Sequence, residues 1–270
     1  GRGYPTMIRI QRISLLAAPL VAGLAVLVVA WWMAQLGGLA TFQEQGKAKL
    51  VFNWHPLLMI LSFLFMTVAK LSFRFSSSSS TLSPGLLPQS PISRSVAKVG
   101  HGLCWVIAAC CMIFGLLAVF HSHNDPVSGY IANMYSLHSW IGILMVISYF
   151  GQLMVGLGAF GGILPRIFGL SSSSFKYQLL QLHTFVGPLI YYGFLGTMLL
   201  GIQEKEGFIG CSYKVEDDHA DIRPWQHFFD IPSVCRISHG LALLLVSTGV
   251  LTVLATTTHF SMERPHRRQQ

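Results

Sequence analysis

Residues 97–120 read AKVGHGLCWVIAACCMIFGLLAVF, an apolar run that carries one lysine and one histidine, both near its start. An α-helix rises about 1.5 Å per residue, so about 20 such residues cross the roughly 30 Å hydrocarbon layer of a membrane. An uninterrupted apolar run of this length is typical of a membrane span and unusual in a soluble domain. The stretch therefore predicts a membrane-spanning helix.

The rest of the chain follows the same pattern. Of its 270 residues, 52% are hydrophobic and 10% are charged, whereas a soluble domain carries about 25% charged residues. We place six spans, numbered 1 to 6, near residues 13–36, 51–73, 97–120, 135–160, 177–202 and 235–258. The sequence therefore predicts an all-α membrane protein with six transmembrane helices, in contact with membrane lipid.

The formal net charge of +8 reflects the orientation of the chain in the membrane. The basic residues are scattered among apolar runs and form no patch that could follow phosphates, so no nucleic acid is expected as a partner. Twelve Lys and Arg residues and one acidic residue lie on the side of both termini, and six basic and nine acidic residues lie on the other. Because basic segments stay in the cytosol, we expect residues 1–12 and 261–270 to be cytosolic and the acidic loop 203–234 to be non-cytosolic.

Four histidines lie inside the spans, near helix starts: His55, His101, His138 and His183. The length of chain from His55 to His138 is nearly the same as that from His101 to His183, so spans 4 and 5 repeat the hairpin of spans 2 and 3. Ionisable groups are costly within a membrane and are functional candidates by default. From the direction of each span, we expect His55 and His138 near the outer face and His101 and His183 near the inner face.

Two histidine pairs stacked across a membrane suit two b-type haems. Two neutral imidazoles that face each other form the axial ligands of such a haem, and the sequence has no CxxCH motif for covalent attachment. With both axial positions filled, the iron has no site for oxygen and can only pass electrons. A histidine-lined proton or metal transporter is the alternative, which we disfavour because it does not require two separated pairs.

Small residues recur below two of these histidines. Such residues let a flat macrocycle or a neighbouring helix come close, so both packing around a cofactor and plain helix packing remain open. At helical spacing, one face of each span forms a stripe after its histidine. The two stripes are Gly142, Met145, Tyr149, Gln152 and Gly156 after His138, and Gly187, Ile190, Phe194, Thr197 and Gly201 after His183.

Three segments stand out beside the four histidines: Phe52-Asn53-Trp54-His55-Pro56, Val119-Phe120 followed by His123-Asn124, and Ile131-Ala132-Asn133-Met134-Tyr135-Ser136-Leu137-His138-Ser139-Trp140. With these residues, the chain resembles over positions 50–205 the cytochrome b561 family, transmembrane ascorbate-dependent oxidoreductases that include ferric reductases. The resemblance implies a central bundle of spans 2 to 5 with two haem b groups, the outer one on His55 and His138 and the inner one on His101 and His183. Family members are commonly homodimers.

The resemblance also implies two substrate sites. Ascorbate binds on the cytosolic side, where the matching basic residues are Arg94, Lys98 and Lys176. An anion such as ascorbate is attracted by such a cluster. The outer acceptor site, for monodehydroascorbate or a ferric chelate, matches Phe120, His123, Asn124 and Tyr135.

The chain departs from the family pattern in its outer loops. Residues 125–128 are inserted before span 4, and the acidic loop is long. Cys211 and Cys235 flank that loop; we predict a disulfide between them, with two unpaired thiols as the alternative. The leading hypothesis is a transmembrane ascorbate-dependent reductase. The alternative is a haem-containing accessory or structural subunit of a larger membrane complex.

Overall fold

Six long helices and one short helical segment form the part of the chain that the computed structural model describes, residues 3–77, 93–160, 173–211 and 231–256. The predicted cytosolic tail 261–270 and residues 212–230 of the predicted acidic loop lie outside these ranges. The helices are α1 (Gly3–Gln35), α2 (Ala48–Phe52), α3 (Trp54–Ser77), α4 (Arg94–His123), α5 (Leu137–Phe160), α6 (Ser173–Phe208) and α7 (Ser233–Thr256).

The predicted all-α architecture with six membrane-spanning helices is confirmed. Helix α1, the α2–α3 unit, and helices α4, α5, α6 and α7 are each long and apolar enough to cross a membrane, and the described ranges contain no β-strand. Helix α6 continues to Phe208, so residues 203–208, predicted as loop, are helical. Hydropathy marks only the part of a helix that lies in lipid, and a helix is free to continue into water beyond it.

Helices α3, α4, α5 and α6 form a closed ring in which each contacts the next and α6 returns to α3. Within the ring the closest pairs are α3 with α4 and α5 with α6. Helices α1 and α7 pack against each other and lie against α3 outside the ring, with α7 also touching α6. The ring is thus a four-helix bundle with a two-helix buttress on one side.

The interior and the exterior of this bundle differ in the way a membrane requires. Buried bulky side chains fill the interior where the helices meet, among them Trp32 of α1, Phe63 of α3 and Tyr191 of α6. Large apolar side chains also point outward, and Leu20 and Leu243 are 73% and 69% exposed. Such a surface would be unfavourable in water and suits contact with lipid tails.

A disulfide ties together neighbouring ends of two helices. Cys211 and Cys235 are bonded, with Cα atoms 6.0 Å apart, which confirms the predicted pairing. The bond joins the segment after α6 to the first turn of α7. Beside it, the Glu206 carboxylate accepts a hydrogen bond from Ser238 Oγ and lies 3.4 Å from His239 Nε2, so the same two helices are also linked by polar contacts.

The inserted residues 125–128 lock two loops together. Asp125 Oδ2 accepts hydrogen bonds from Ser128 Oγ at 2.6 Å and from the backbone N–H of Gly46 at 3.0 Å, and Oδ1 accepts from the N–H of Val127 at 3.1 Å. These bonds, the one from Ser128 first, lower the pKa of Asp125 below its usual value. Gly46 has φ +76° and lies against Val127, a conformation that a residue with a Cβ rarely adopts. The insertion therefore braces the α1–α2 loop.

Candidate functional site

The four candidate histidines come together as two pairs inside the ring. The ring centroids of His55, at the start of α3, and His138, at the start of α5, are 6.1 Å apart. Those of His101 on α4 and His183 on α6 are 6.2 Å apart. We call these the His55 pair and the His101 pair, and the corresponding ends of the bundle the His55 end and the His101 end.

Backbone carbonyls hold three of the four rings. The Nδ1 atoms of His55, His101 and His138 lie 3.2, 2.9 and 2.9 Å from the carbonyl oxygens of Gly115, Ala69 and Thr197, in that order. A carbonyl only accepts, so each Nδ1 carries the proton and Nε2 keeps a lone pair for a metal. His183 differs, because its Nδ1 is buried with no partner among the described residues.

The same hydrogen bonds fix the distance between the two pairs. Each accepting carbonyl lies at the far end of a helix that carries a histidine of the other pair: Ala69 after His55 on α3, Gly115 after His101 on α4, and Thr197 after His183 on α6. In all three helices this separation is about four turns, or about 21 Å along the axis. The two pairs therefore lie at levels about 21 Å apart, close to opposite faces of a roughly 30 Å hydrocarbon layer.

The distance between the two imidazole rings of each pair leaves room for one metal ion. Two metal–nitrogen bonds of about 2 Å and two imidazole radii of about 1.2 Å put the ring centroids of two axial histidines about 6.4 Å apart. The measured separations of 6.1 and 6.2 Å are close to this value. These residues thus suit a bis-histidine haem at each level.

Glycines make room for two of the histidine rings. A Cβ on Gly201 of α6 would lie 2.8 Å from His138 Cε1, and a Cβ on Gly156 of α5 would lie 3.3 Å from His183 Cε1. Real Cβ atoms essentially never come as close as the first of these distances. Each glycine follows the histidine of its own helix by the same number of residues, about five turns, so α5 and α6 cradle each other's histidine symmetrically.

The two stripes predicted from the sequence mainly pack against each other. Gly142 faces Thr197, Gln152 Nε2 donates to the carbonyl of His183 at 2.7 Å, and the Tyr149 ring packs edge-on against Phe194. Most of their contacts are thus helix packing between α5 and α6. Some members, including Gly142 and Thr197, also line a cavity at the His55 end.

This cavity joins the His55 pair to the predicted acceptor residues. Phe120, His123 and Tyr135 line it together with His55 and His138. Asn124 does not line it; its side-chain amide donates to the carbonyl of Phe120 at 2.7 Å and ends α4.

Hydrogen bonds and a ring contact hold the cavity wall. His123 Nδ1 lies 3.0 Å from Asn133 Oδ1, and its ring stacks on Phe52 with the ring planes 1° apart. Tyr135 OH donates to Glu204 Oε1 at 2.7 Å, and partial burial together with that bond raises the pKa of Tyr135. The tyrosine therefore stays protonated as a donor.

Sequence reasoning missed two charged residues of this wall. Glu204 and Lys205 line the cavity, whereas their positions 203–208 were predicted as loop. The signal that could have found them is the helical spacing of α6 continued beyond residue 202, which places both about one turn after the histidine-facing Gly201.

The predicted ascorbate residues lie at the His101 end. Arg94 and Lys98 are exposed on the first turns of α4, and Lys176 is half-buried on the first turn of α6. Lys98 is about one helical turn from His101, and Lys176 is about two turns from His183. The structure thus places three basic residues near the starts of the two helices that carry the His101 pair.

Comparison with known proteins gives a family. Residues 54–209 match the model for eukaryotic cytochrome b561. The chain is 32% identical over 252 residues to a transmembrane ascorbate-dependent reductase of Sus scrofa, with 92% of this chain and 83% of the relative covered.

Two further relatives are named as ferrireductases. A transmembrane ascorbate ferrireductase of Arabidopsis thaliana is 30% identical over 203 residues, covering 75% of this chain and 74% of the relative. A lysosomal membrane ascorbate-dependent ferrireductase of Mus musculus is 30% identical over 247 residues, covering 91% and 87%. The matched region contains all four paired histidines, and the chain belongs to the cytochrome b561 family, whose members carry haem b.

Proposed function

We propose that this protein transfers electrons across a membrane from cytosolic ascorbate to an acceptor on the other side, through two haem b groups held by the His55 and His101 pairs. The observation that carries the proposal is the two facing histidine pairs, at centroid distances of 6.1 and 6.2 Å and at levels about 21 Å apart. The names of the relatives support ascorbate as the donor.

The histidines and their partners prepare the sites for these groups. Carbonyl acceptors on the neighbouring helix fix the tautomer and the rotation of His55, His101 and His138, so little reorganisation is needed when a metal binds. Haem bound at these sites would supply one-electron chemistry, and the two imidazoles of each pair would hold its iron. The apolar side chains between the two levels exclude water from the path.

The His101 end is the donor side in this proposal. The positive-inside bias places both termini and the starts of α4 and α6 in the cytosol. Arg94, Lys98 and Lys176 then attract the ascorbate anion to the histidine pair of that end. The ascorbate anion gives one electron to the His101 end, releases its proton to the cytosolic water and leaves as monodehydroascorbate.

The His55 end is the acceptor side. Its cavity is lined by residues at the ends of α4 and α6 and by both histidines of the pair. Phe120, His123 and Tyr135 form part of its wall, and His123 supplies an imidazole that can bind a metal ion. The acceptor, monodehydroascorbate or a ferric chelate, gains one electron for each one that ascorbate loses.

The test is the haem content and the spectrum of purified protein and of His138→Ala and His183→Ala variants. The wild type should hold about two haems per chain and show b-type bands on adding ascorbate. Each variant should lose the haem of its own pair and keep the other. His239→Ala is the matched control, since this histidine lies at the His55 end outside both pairs.

Three outcomes would contradict the proposal. Protein without haem would end it, and two haems retained in His138→Ala would end the assignment of the pairs. Haem that ascorbate does not reduce would favour the accessory-subunit hypothesis instead.

A further inference from the structure

A lysine points into the cavity at the His55 end. Lys205 lies near the end of α6 and lines the cavity with both histidines of the His55 pair. Its Nζ lies 4.7 Å from the centroid of the Phe52 ring and donates to Asn53 Oδ1 at 3.1 Å. The side chain is half-buried, so its charge acts in a medium of lower dielectric than water.

The position of this lysine is imposed by its partner. Asn53 is 1% exposed, and its Nδ2 donates to the carbonyl of Gly38 at 2.8 Å. That bond orients the amide so that Oδ1 faces Lys205. The backbone of Gly38 has φ +83°, a conformation that glycine adopts readily. The loop after α1 therefore fixes the amide, and the amide aims the ammonium group.

The charge of Lys205 has no carboxylate partner among the described residues. The adjacent Glu204 faces another part of the wall, where its two oxygens accept hydrogen bonds from Tyr135 OH at 2.7 Å and Ser136 Oγ at 2.9 Å. An ammonium group has three N–H donors, and Asn53 takes one of them. A partly buried cation is stabilised most by an anion that completes its hydrogen bonds.

An anion on Lys205 would lie beside the route into the His55 pair. The Phe52 ring beneath the ammonium group packs against His55, with ring centroids 5.8 Å apart. The same ring stacks on His123. One aromatic side chain thus separates this cation from the proposed axial ligand and from the surface histidine of the acceptor site.

We propose that Lys205 binds the anionic group of the electron acceptor and makes the His55 end selective for anionic acceptors. The inference rests on the proposed function. The chemical class is a small anion, either an enediolate radical such as monodehydroascorbate or a ferric complex with carboxylate ligands. In the step itself the acceptor gains one electron that ascorbate has supplied, and Lys205 keeps its proton.

The experiment compares two one-electron acceptors of opposite charge. Protein reduced by ascorbate is mixed in a stopped-flow device at low salt with ferricyanide, an anion, or with hexaammineruthenium(III), a cation. The rate constant for reoxidation is measured for the wild type, Lys205→Gln and Lys205→Arg. The ratio of the two rate constants is the readout, because a change in the potential of the haem affects both acceptors in the same direction.

We expect Lys205→Gln to lower the ratio of anion to cation rates about tenfold, as loss of one charged hydrogen bond implies. Lys205→Arg should keep most of the ratio. The matched control is Lys49→Gln, which removes an exposed charge from the same end outside the cavity and should change the ratio less than about twofold.

An unchanged ratio in Lys205→Gln, with haem content intact, would overturn the inference. An equal decrease in Lys49→Gln would also overturn it, because the effect would then come from the general surface charge. Failure of the proposed function is distinguishable, since ascorbate would then not reduce the wild-type protein at all.

Discussion

Replacing Gly201 with alanine tests whether the bundle is shaped around the histidine pairs. The new Cβ would lie 2.8 Å from His138 Cε1, 3.2 Å from Nδ1 and 3.3 Å from Nε2. Carbon atoms in contact prefer separations of about 3.5–4.0 Å, so the ring must move by about 0.7 Å or more. Thr197 lies on the same helix as Gly201. Moving the ring away from Gly201 should therefore lengthen the hydrogen bond from Nδ1 to the carbonyl of Thr197, now 2.9 Å.

The expected cost follows from these distances. Overpacking of a buried site costs about 1–3 kcal/mol, and an axial ligand bond of about 2 Å cannot absorb a displacement of about 0.7 Å. We therefore expect Gly201→Ala to lose the haem of the His55 pair, leaving about one haem per chain. Gly156→Ala, whose Cβ would lie 3.3 Å from His183 Cε1, requires a shift of a few tenths of an ångström and should retain both haems with an altered midpoint potential at the His101 pair.

The assay is haem per chain together with a potentiometric titration of the reduced-minus-oxidised spectrum. Gly196→Ala is the control on the same helix, because a Cβ at that position meets no atom within 4 Å. It should keep both haems and both midpoint potentials. Two haems with unchanged potentials in Gly201→Ala would refute the view that this glycine makes the space for the ring of His138.

Three further predictions concern other parts of the chain. Asp125→Ala should raise hydrogen exchange at the N–H of Gly46. In the wild type, the hydrogen bond from Gly46 to the Asp125 carboxylate should persist above about pH 4. Because the pKa of Asp125 is lowered, the bond should be lost as the pH falls through that lowered value. Equal exchange in both proteins would contradict this prediction. Cys235→Ser should destabilise the fold by about 3 kcal/mol, since the bond to Cys211 closes a loop with a sequence separation of 24, and a thermal unfolding midpoint equal to that of the wild type would oppose this. Lys98→Gln should raise the KM for ascorbate several-fold at unchanged kcat, with the difference shrinking at high salt, and an unchanged KM would remove this residue from the donor site.

Much of the fold could be predicted from the sequence because the signals are local. The cost of exposing backbone and charge to lipid acts on each stretch of about 20 residues independently, so six helices follow from hydropathy. The nearly equal spacing from His55 to His138 and from His101 to His183 indicates a repeated hairpin. The flanking positions of Cys211 and Cys235 likewise predicted the disulfide, which the structure contains.

What hydropathy could not give is where a helix ends in water and which side chains face each other. Helix α6 extends to Phe208, and that extension moves Lys205 from a predicted loop into the wall of the cavity. Its partner Asn53 lies 152 residues earlier in the chain. Contacts across such a distance depend on the rotation and depth of each helix in the ring, which no local pattern records.

The sequence by itself identified a membrane protein, the number of membrane-spanning helices and the four candidate histidines, because burial in lipid penalises each polar residue wherever it lies. Only the tertiary structure decided the details of the sites. It set the ring-centroid distances of 6.1 and 6.2 Å within the pairs and the carbonyls that hold His55, His101 and His138. It also set the two glycines that leave space for the rings of His138 and His183. These features arise from how neighbouring helices fit against each other, and that fit is a property of the packed bundle as a whole.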